Sequence, residues 1–427
     1  MSPLRARACS LLLSCAALGV TAAQAQTTYY VDQNHPAARD TNPGSASAPW
    51  RSIQQAAQVL EPGDTVLVAS GVYTELYTGY PNSALGAIKP QRSGTVEAPI
   101  TYAAAPGASV VIDQQGAGPG FYIFKKDHLV IRGFEIRNAR MGGVWVAVDG
   151  ARGIQVLDNH IHHVDGQAGA NVGAVKLDGC SQCVVQGNRL HDVTVGGQRK
   201  LNSAGLHSFD MEDTLIEDNV VFDVHTGVYH KRSTGGPGVQ VRNNRICRVT
   251  NGVLYSVAGG GDPAHRNQAV VGNDIVGCEI GVKATVWETG SQSRGLVVHH
   301  NAIRECAEGL FMQGYSELDI AGNLFATHRY ALSTLHTGGR EVALNHSDGN
   351  LYAPDGDFLL DRWGANRRYS GLSAWQNATG WDRLSQAADY AAQGPHAAAD
   401  PDCDADGDND GVRDSCLLYT SPSPRDS

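Results

Sequence analysis

A short phrase, apolar-x-x-Asn-x-apolar, constrains the fold of this chain more than any other feature, because it recurs seven times between residues 156 and 325. Successive asparagines lie 22 to 31 residues apart, a spacing too irregular for a helical solenoid but natural for coils of strands with loops of different lengths. Asn tolerates the left-handed backbone of a bend, and its amide can bond to the Asn of the next coil. We therefore predict a β-solenoid with an asparagine ladder. The ladder residues are Asn159, Asn188, Asn219, Asn244, Asn273, Asn301 and Asn323.

The segment after each Asn phrase also repeats, as a small residue followed by alternating positions, for example at 205–208 and 227–230. Period-two alternation predicts a strand with one inward and one outward face. Alignment of these strands gives two outward rows, whose neighbours on adjacent coils should lie about 4.8 Å apart. The first row is Trp145, Lys176, His207, Tyr229, Leu254, Lys283 and Phe311, and the second is Ala147, Asp178, Phe209, Lys231, Ser256, Thr285 and Gln313.

An amphipathic helix is predicted over residues 52–60, with Ile53, Ala56, Ala57 and Leu60 on one stripe. The open end of a solenoid exposes apolar side chains, so a helix laid across that end is the expected N-terminal cap.

These features resemble the right-handed parallel β-helix proteins of the pectate-lyase-like superfamily, over roughly residues 28–390. The resemblance implies an all-β chain with a capping module and first coils at 26–110, then a right-handed parallel β-helix at 111–390. The superfamily contains lyases, hydrolases, epimerases and non-enzymes, so the activity must be argued from the site. The N-terminal segments that carry the resemblance are 29–32, 42–44, 49–50, 53–57, 62–68 and 71–75.

Residues 1–25 have the pattern of a secretory signal peptide: Arg5 and Arg7, an apolar run over 11–20, and the small-residue site Ala23-Gln24-Ala25. We expect this segment to be removed and the protein to be secreted, in the extracellular space, the periplasm or at a bacterial cell surface. Loss of two arginines would change the formal charge from -10 to -12, which argues against a nucleic-acid partner. No later apolar run is long enough to span a bilayer, and we expect a monomer.

Four cysteines can be placed by their position in the repeat. Cys180 and Cys183 flank one turn and can pair in an oxidising compartment. Cys278 and Cys306 each follow their ladder Asn by five residues, where other coils carry Val, so they should be stacked core residues in either redox state.

The acidic segment 391–415 is predicted to bind calcium, because it alternates carboxylates with glycines that permit tight turns. It resembles a truncated calcium loop of a thrombospondin type 3 repeat, and the alternative interpretation is a solvated acidic linker. Residues 416–427 resemble the translation of a sequencing adapter, so we expect the natural chain to continue differently and assign them no function. The predicted Ca²⁺ ligands are Asp404, Asp406, Asp408, Asp410 and Asp414.

The two outward rows predict a functional patch across three adjacent coils, where aromatic rings suited to stacking on sugars lie beside lysines suited to pairing with uronates. β-Elimination of a uronic-acid polysaccharide fits these residue types, with Lys231 as the base and His207 and Tyr229 as acid/base partners. Lys176 and Arg232 would hold the substrate carboxylate. The phrase at 229–232 loosely resembles the Lys- and Arg-bearing coils of β-helix lyases of the chondroitinase B, alginate lyase and pectate lyase type. Further predicted substrate-binding residues are Trp145, Asp178, Phe209 and Lys283.

Two other classes of function remain open from the sequence. A β-helix hydrolase would need paired aspartates at successive outward positions, and an epimerase would be expected to carry an Asp-Pro-His pair, neither of which is present. A non-catalytic carbohydrate-binding or adhesive surface protein is the third class. The bend at Asp210, Glu212 and Asp213 is either a Ca²⁺ position or an ordinary turn.

Overall fold

The fold is a parallel β-solenoid in which each coil contributes short strands to stacked sheets. The computed structural model describes residues 26–76, 87–147, 150–232, 236, 238–257, 266–286, 293–336, 342–362 and 364–388. The predicted signal peptide, the acidic repeat with Asp404, Asp406, Asp408, Asp410 and Asp414, and the segment 416–427 lie outside these residues.

Face A is a sheet of twelve parallel strands, formed by the residues that precede the bend of each coil. Its strands pair in sequence order, so every coil stacks directly on the one before it. They are Thr28–Val31, Thr65–Val68, Ile100–Ala104, Leu129–Arg132, Gln155–Leu157, Val184–Gln186, Thr214–Glu217, Val239–Arg242, Ala269–Val271, Val297–His299, Leu318–Ala321 and Leu344–Asp348.

Face B follows the bend, and face C follows face B after a second turn. Face B contains Gly71–Tyr73, Val110–Asp113, Glu135–Arg137, His160–Val164, Arg189–Val193, Val220–Phe222, Leu351–Tyr352 and Gln386–Ala387. Face C contains Phe121–Phe124, Gly142–Ala147, Val172–Asp178, Ser203–Phe209, Thr226–Lys231, Asp357–Leu360 and the antiparallel strand Arg367–Ser370. In four coils the two strands join into one, at Arg245–Val257, Asp274–Val286, Ala302–Gln313 and Leu324–Leu335. Two short pairs complete the strands: Ala151–Arg152 with Cys180–Ser181, and Ser293–Arg294 with Tyr315–Ser316.

The asparagine ladder is confirmed. From Asn159 to Asn323, the backbone N–H and the side-chain Nδ2 of each Asn donate to Oδ1 of the next at 2.9 to 3.1 Å. The last of these acceptors is Asn350, which adds an eighth member. Because every amide is buried, the ladder satisfies backbone N–H groups that would otherwise lose their hydrogen bonds at each bend.

The small residue that begins each face C strand is required by the close stacking of the coils. A Cβ on Gly227 would lie 2.5 Å from Cγ2 of Ile246 and 2.6 Å from the carbonyl oxygen of Gly252. The strand therefore passes against the next coil's backbone, which fixes where the alternation begins and hence which side chains face outward.

The N-terminal end carries the predicted cap, a helix at Ile53–Val59. The hydroxyl of Ser52 accepts a bond from the Gln55 N–H at 3.2 Å, while the Glu75 carboxylate accepts the N–H groups of Ile53 and Gln54 at 2.7 and 3.2 Å. The apolar stripe of the cap is buried as predicted, at Ile53, Ala56, Ala57 and Leu60.

The other end is closed by a helix at Leu372–Thr379 and by Asp382, whose carboxylate is buried beside the last ladder residue. Asp382 accepts bonds from Asn350 at 3.0 Å, from Tyr352 at 2.9 Å and from the Trp375 indole at 2.8 Å. No helix among the described residues is long and apolar enough to cross a membrane.

Two disulfides join the four cysteines whose positions were predicted from the repeat. Cys180 bonds to Cys183 across one turn, and Cys278 bonds to Cys306 across consecutive coils. Cys306 is fully buried and Cys278 packs against the same core, which confirms their predicted position.

Candidate functional site

The outward rows on face C align as the sequence predicted. Along the first row, Trp145 pairs with Lys176, Lys176 with His207, and His207 with Tyr229. The row then continues through Leu254, Lys283 and Phe311. The inward neighbour His230 is fully buried, with its Nδ1 3.0 Å from the Ser208 hydroxyl, so it is a hydrogen-bonded core histidine.

An open groove of ≈ 690 Å³ lies over the C-terminal ends of these strands. Cations, carboxylates and an aromatic ring share it, and the Cys180–Cys183 turn forms one border. Its lining residues are Gly150, Asn171, Lys176, Asp178, Gly179, Cys180, Ser181, Phe209, Asp210, Glu212 and Arg232.

Lys231 lies beside the groove with its ammonium held by two amides. Its Nζ donates to Oδ1 of Asn171 at 2.6 Å and to Oδ1 of Asn202 at 2.7 Å. The same Nζ lies 4.8 Å from the ring centroid of Tyr229 and 5.3 Å from that of Phe209. Burial lowers the pKa of Lys231 to about 8, opposed by the negative charge of Asp178 and reinforced by the positive charge of Lys176.

Lys176 is committed to a buried ion pair. Its Nζ lies 2.9 Å from Oδ2 of Asp178 and 4.0 Å from the centroid of the Trp145 ring, and that indole also donates to Oδ2 at 3.0 Å. Because Lys176 and Asp178 are only 6% and 5% exposed, breaking this pair would leave a buried charge. Lys176 and Asp178 therefore line the groove as an ion pair supported by Trp145. The predicted role of Lys176 as a carboxylate clamp would require it to leave Asp178.

Arg232 is the accessible cation of the groove. Its guanidinium forms an ion pair with Asp210 and lies 5.8 Å from the centroid of Phe209. Asp210 is thereby engaged by an arginine, while Asp213, held at 3.4 Å by Gln182, is not part of the groove lining. Within the described ranges, Asp210, Glu212 and Asp213 do not form a group of three ligands able to hold one metal ion.

His207 differs most from its predicted role. It faces outward from the sheet, but side chains above it cover the ring completely, and its exposure is 0%. Burial, with the charges of Lys231 and Lys176, lowers its pKa well below the usual range, so the imidazole stays neutral. Neither ring nitrogen has a hydrogen-bond partner among the described residues. This cover does not favour the predicted proton exchange between His207 and a substrate. Alternation shows the direction of a side chain and not what lies over it.

Tyr229 and Lys283 also lie outside the groove lining. Tyr229 is 4% exposed, and burial raises the pKa of its phenol. Lys283 belongs to a separate cluster further along the row, where its Nζ lies 6.0 Å from the centroid of the Phe311 ring. Burial lowers the pKa of Lys283, and the negative charges of Glu279 and Glu308 oppose this shift. Leu254 separates Lys283 from Tyr229, so the structure does not bring this predicted substrate-binding residue to the groove.

Sequence reasoning missed the two amides that hold Lys231. Asn171 and Asn202 precede their face C strands and lie 60 and 29 residues before Lys231 in the chain. Their only sequence signal is that each occurs in the loop before a strand of the same row. Asn202 comes from the long insertion at 192–203. A second long insertion, at 256–269, contains Asp262 and His265, which lie outside the described residues.

Residues 29–193 match the family model described as "Pel9A-like, right handed beta helix region". The solenoid is thus a right-handed parallel β-helix, and the resemblance to pectate-lyase-like proteins is confirmed for the fold. No curated protein sequence matches the chain significantly.

Solved structures with the same architecture have several functions. The pectate lyase Pel9A is 17% identical, with a TM-score of 0.49 over 77% of this chain and 76% of that one. A mannuronic acid-specific family 6 polysaccharide lyase from human gut microbiota is 13% identical, with a TM-score of 0.46 over 85% and 91%. PfbA, a surface adhesin of Streptococcus pneumoniae, is 10% identical, with a TM-score of 0.43 over 72% and 83%. These similarities concern the fold alone.

Proposed function

We propose that the protein is a secreted polysaccharide lyase that cleaves a uronic-acid polysaccharide by β-elimination in the groove on face C. The single observation that carries this proposal is Lys231, an amine with a pKa of about 8 that donates to Asn171, a residue of the groove lining. A base whose pKa is near the working pH combines a useful fraction of the free amine with adequate basicity. Two neutral amides accept the hydrogen bonds of Lys231, and burial lowers its pKa more than the charge of Asp178 raises it.

The reaction needs one base and a means of neutralising the substrate carboxylate. The free amine of Lys231 would take the proton from C5, the electron pair would form the C4–C5 double bond, and the C4–O bond would break. Water in the open groove would return a proton to the leaving oxygen, since His207 is covered and Tyr229 does not line the groove. Arg232, exchanging Asp210 for the substrate, would pair with the uronate while Phe209 stacks on a sugar ring.

The test is an assay for the unsaturated uronate, whose new double bond absorbs in the ultraviolet. The protein would be incubated with alginate, pectate and dermatan-type chains, and we expect absorbance with one of them. Lys231→Ala should lower turnover by roughly 10²- to 10⁴-fold. Lys231→Arg, which keeps the charge but lacks a free amine near neutral pH, should be equally impaired.

Lys200→Ala is the matched control, because Lys200 is exposed on the loop that supplies Asn202. Its turnover should equal that of the wild type. Full activity of Lys231→Ala would exclude Lys231 as the base, and binding of a glycan with no product would indicate a carbohydrate-binding protein.

Hydrolysis is the second candidate, favoured by the presence of Asp178, Asp210 and Glu212 in one groove. Glycosidases use two carboxyl groups, one on each side of the scissile bond. New reducing ends without ultraviolet absorbance, abolished in Glu212→Gln but kept in Lys231→Ala, would establish hydrolysis instead.

We also propose that residues 1–25 direct export and that the acidic repeat binds Ca²⁺ through Asp404, Asp406, Asp408, Asp410 and Asp414. Alternating carboxylates suit a hard cation with six to eight oxygen ligands. Calorimetric titration with CaCl₂ should detect binding that Asp406→Asn together with Asp408→Asn abolishes. Unchanged binding would refute the assignment.

A further inference from the structure

A cluster of histidines and one glutamate lies on the outer side of face B, apart from the groove. Glu135 pairs with His160 on the next strand, and His162 pairs with His191 on the strand after that. Between them, Ile161 points inward and is fully buried, so the polar side chains share the outer surface. One ligand atom each from Glu135, His160 and His162 lies within 4.8 Å of the other two.

The ring nitrogens converge rather than spread into solvent. Nε2 of His162 lies 3.4 Å from Oε1 of Glu135, and Nε2 of His160 lies 2.7 Å from Nε2 of His191. An imidazole nitrogen is the commonest protein ligand of transition metals.

A second carboxylate orients one of the rings. Nδ1 of His191 lies 2.8 Å from Oδ2 of Asp192, a contact that places a proton on Nδ1 and directs the Nε2 lone pair toward His160. A histidine whose far nitrogen bonds a carboxylate is the usual supporting arrangement behind a metal ligand.

The cluster also has an approach from solvent. A cavity of ≈ 420 Å³ is lined by Glu135 and His160, together with Asp158 and Arg189. This cavity gives an ion a path from solvent to Glu135 and His160.

Ring stacking alone does not account for the arrangement. The rings of His162 and His191 are stacked, with centroids 5.0 Å apart and planes at 2°, and His191 stacks on Phe222 at 4.5 Å. Stacking explains the parallel planes. It does not explain why Nε2 of His160 lies 2.7 Å from Nε2 of His191, or why Oε1 of Glu135 lies 3.4 Å from Nε2 of His162.

The two nearby arginines each have a partner outside the cluster. Arg137 bonds to Asp113 at 2.9 Å as well as to Glu135 at 3.1 Å, and the guanidinium of Arg189 lies 4.5 Å from the Phe222 centroid. Asp113 thus balances the charge of Arg137, and Glu135 retains its second oxygen for an ion.

We propose that Glu135, His160 and His162, with His191 as a fourth group, bind a divalent transition metal of the Zn²⁺ type. Imidazole nitrogens with one carboxylate suit Zn²⁺ and its neighbours better than Ca²⁺ or Mg²⁺. Zn–N distances of roughly 2.0 Å put tetrahedral ligands roughly 3.3 Å apart, so the Nε2 atoms of His160 and His191 need to separate by only about half an ångström.

The test is a calorimetric titration of the full chain, freed of metal with a chelator, using ZnCl₂ alone. We expect one high-affinity site, and with CoCl₂ a visible absorption band typical of four-coordinate cobalt. His162→Ala and Glu135→Gln should each weaken Zn²⁺ binding by more than roughly 100-fold, and Asp192→Asn by roughly 10-fold. Glu135→Gln keeps the size of the side chain, so it tests metal binding even if His162→Ala fails to fold.

His346→Ala is the matched control, because His346 is an exposed histidine that contacts a different carboxylate, Asp319, at 2.9 Å. It should bind Zn²⁺ as the wild type does. No binding in the wild type, or equal binding in the wild type, His162→Ala and Glu135→Gln, would overturn the proposal.

Discussion

The asparagine ladder and the outer row of face C occupy the same coils, yet they differ in how their chemistry repeats. In the ladder, Asn recurs at the same place in eight successive coils, and each Asn from Asn159 to Asn323 donates twice to the next. In the outer row, equivalent positions hold different residue types on neighbouring coils, such as Lys176, His207 and Tyr229. Repeated residues serve the stacking that all coils share. Residues that vary within the same register are free to form a local site.

Burial has opposite consequences in these two regions. The ladder amides are buried with their hydrogen bonds satisfied, so burial stabilises the coil stack. Lys231 is partly buried beside neutral amides, so burial weakens its hold on a proton. If this comparison is correct, changes in the ladder should affect folding, and changes around Lys231 should affect chemistry.

Asn244→Ala should produce the largest effect on stability. Its amide donates to the carbonyls of Ile216 and Arg242 and to Asn273, and its Oδ1 accepts two bonds from Asn219. Leaving several of these buried groups unpaired should lower the free energy of unfolding by about 4 kcal/mol. Chemical denaturation monitored by circular dichroism would measure the change.

The adjacent Asn243→Ala is the control for this change. Asn243 makes one long bond, 3.4 Å to Glu217, and has a φ of 55°. We expect a loss of about 1 kcal/mol, from placing Ala in the left-handed region. Equal losses in the two variants would show that the ladder bonds contribute no more than the bend itself.

The sequence predicted the register of the solenoid but not which outward side chains are buried by other residues. Period-two alternation and the Asn repeat depend on contacts between consecutive coils, so they identified the strands, the inward position of His230 and the row from Trp145 to Phe311. Whether an outward side chain is exposed depends on loops and on ion pairs between coils. Spacing therefore could not reveal that His207 is covered, or that Asn171 and Asn202 hold Lys231. The histidine cluster was missed because it lies on face B, where we aligned no outward row.

Replacement of each disulfide should also distinguish effects on folding stability from effects on turnover. The Cys278–Cys306 bond closes a separation of 28 residues, so its replacement by two alanines should cost about 3 kcal/mol in unfolding free energy and leave turnover unchanged. The Cys180–Cys183 bond spans 3 residues and borders the groove, so the same replacement should cost about half as much but lower turnover. Thermal unfolding and steady-state kinetics of both double variants would test this difference. A larger stability loss at Cys180–Cys183 would contradict it.

Asn202→Asp should change the pH dependence of the reaction. Lys231 must be unprotonated to act as a base, so wild-type kcat/KM should rise with pH through about 8. A carboxylate in place of the amide oxygen at 2.7 Å would stabilise the ammonium and raise its pKa by roughly one to two units. At pH 7 the fraction of free amine, and with it kcat/KM, should fall by roughly 10- to 100-fold, with partial recovery at higher pH. Asn366→Asp makes the same change at an exposed position away from the groove and should leave the pH profile of kcat/KM unaltered. An unshifted pH profile in Asn202→Asp would exclude Lys231 as the titrating base.

Lys283→Ala should produce the smallest effect, although Lys283 occupies the same outward row as Lys176. Its amine lies in the cluster of Phe311 and Glu308, on the far side of Leu254 from Tyr229. Two coils separate it from Tyr229, about 9.6 Å at the spacing of adjacent strands, so it should not contact a sugar bound over Phe209. We expect kcat/KM within about twofold of wild type, because surface changes away from a site are usually mild. A tenfold loss would show that the substrate extends along the row past Leu254, and the site would then be a cleft along the helix axis rather than a groove confined to three coils.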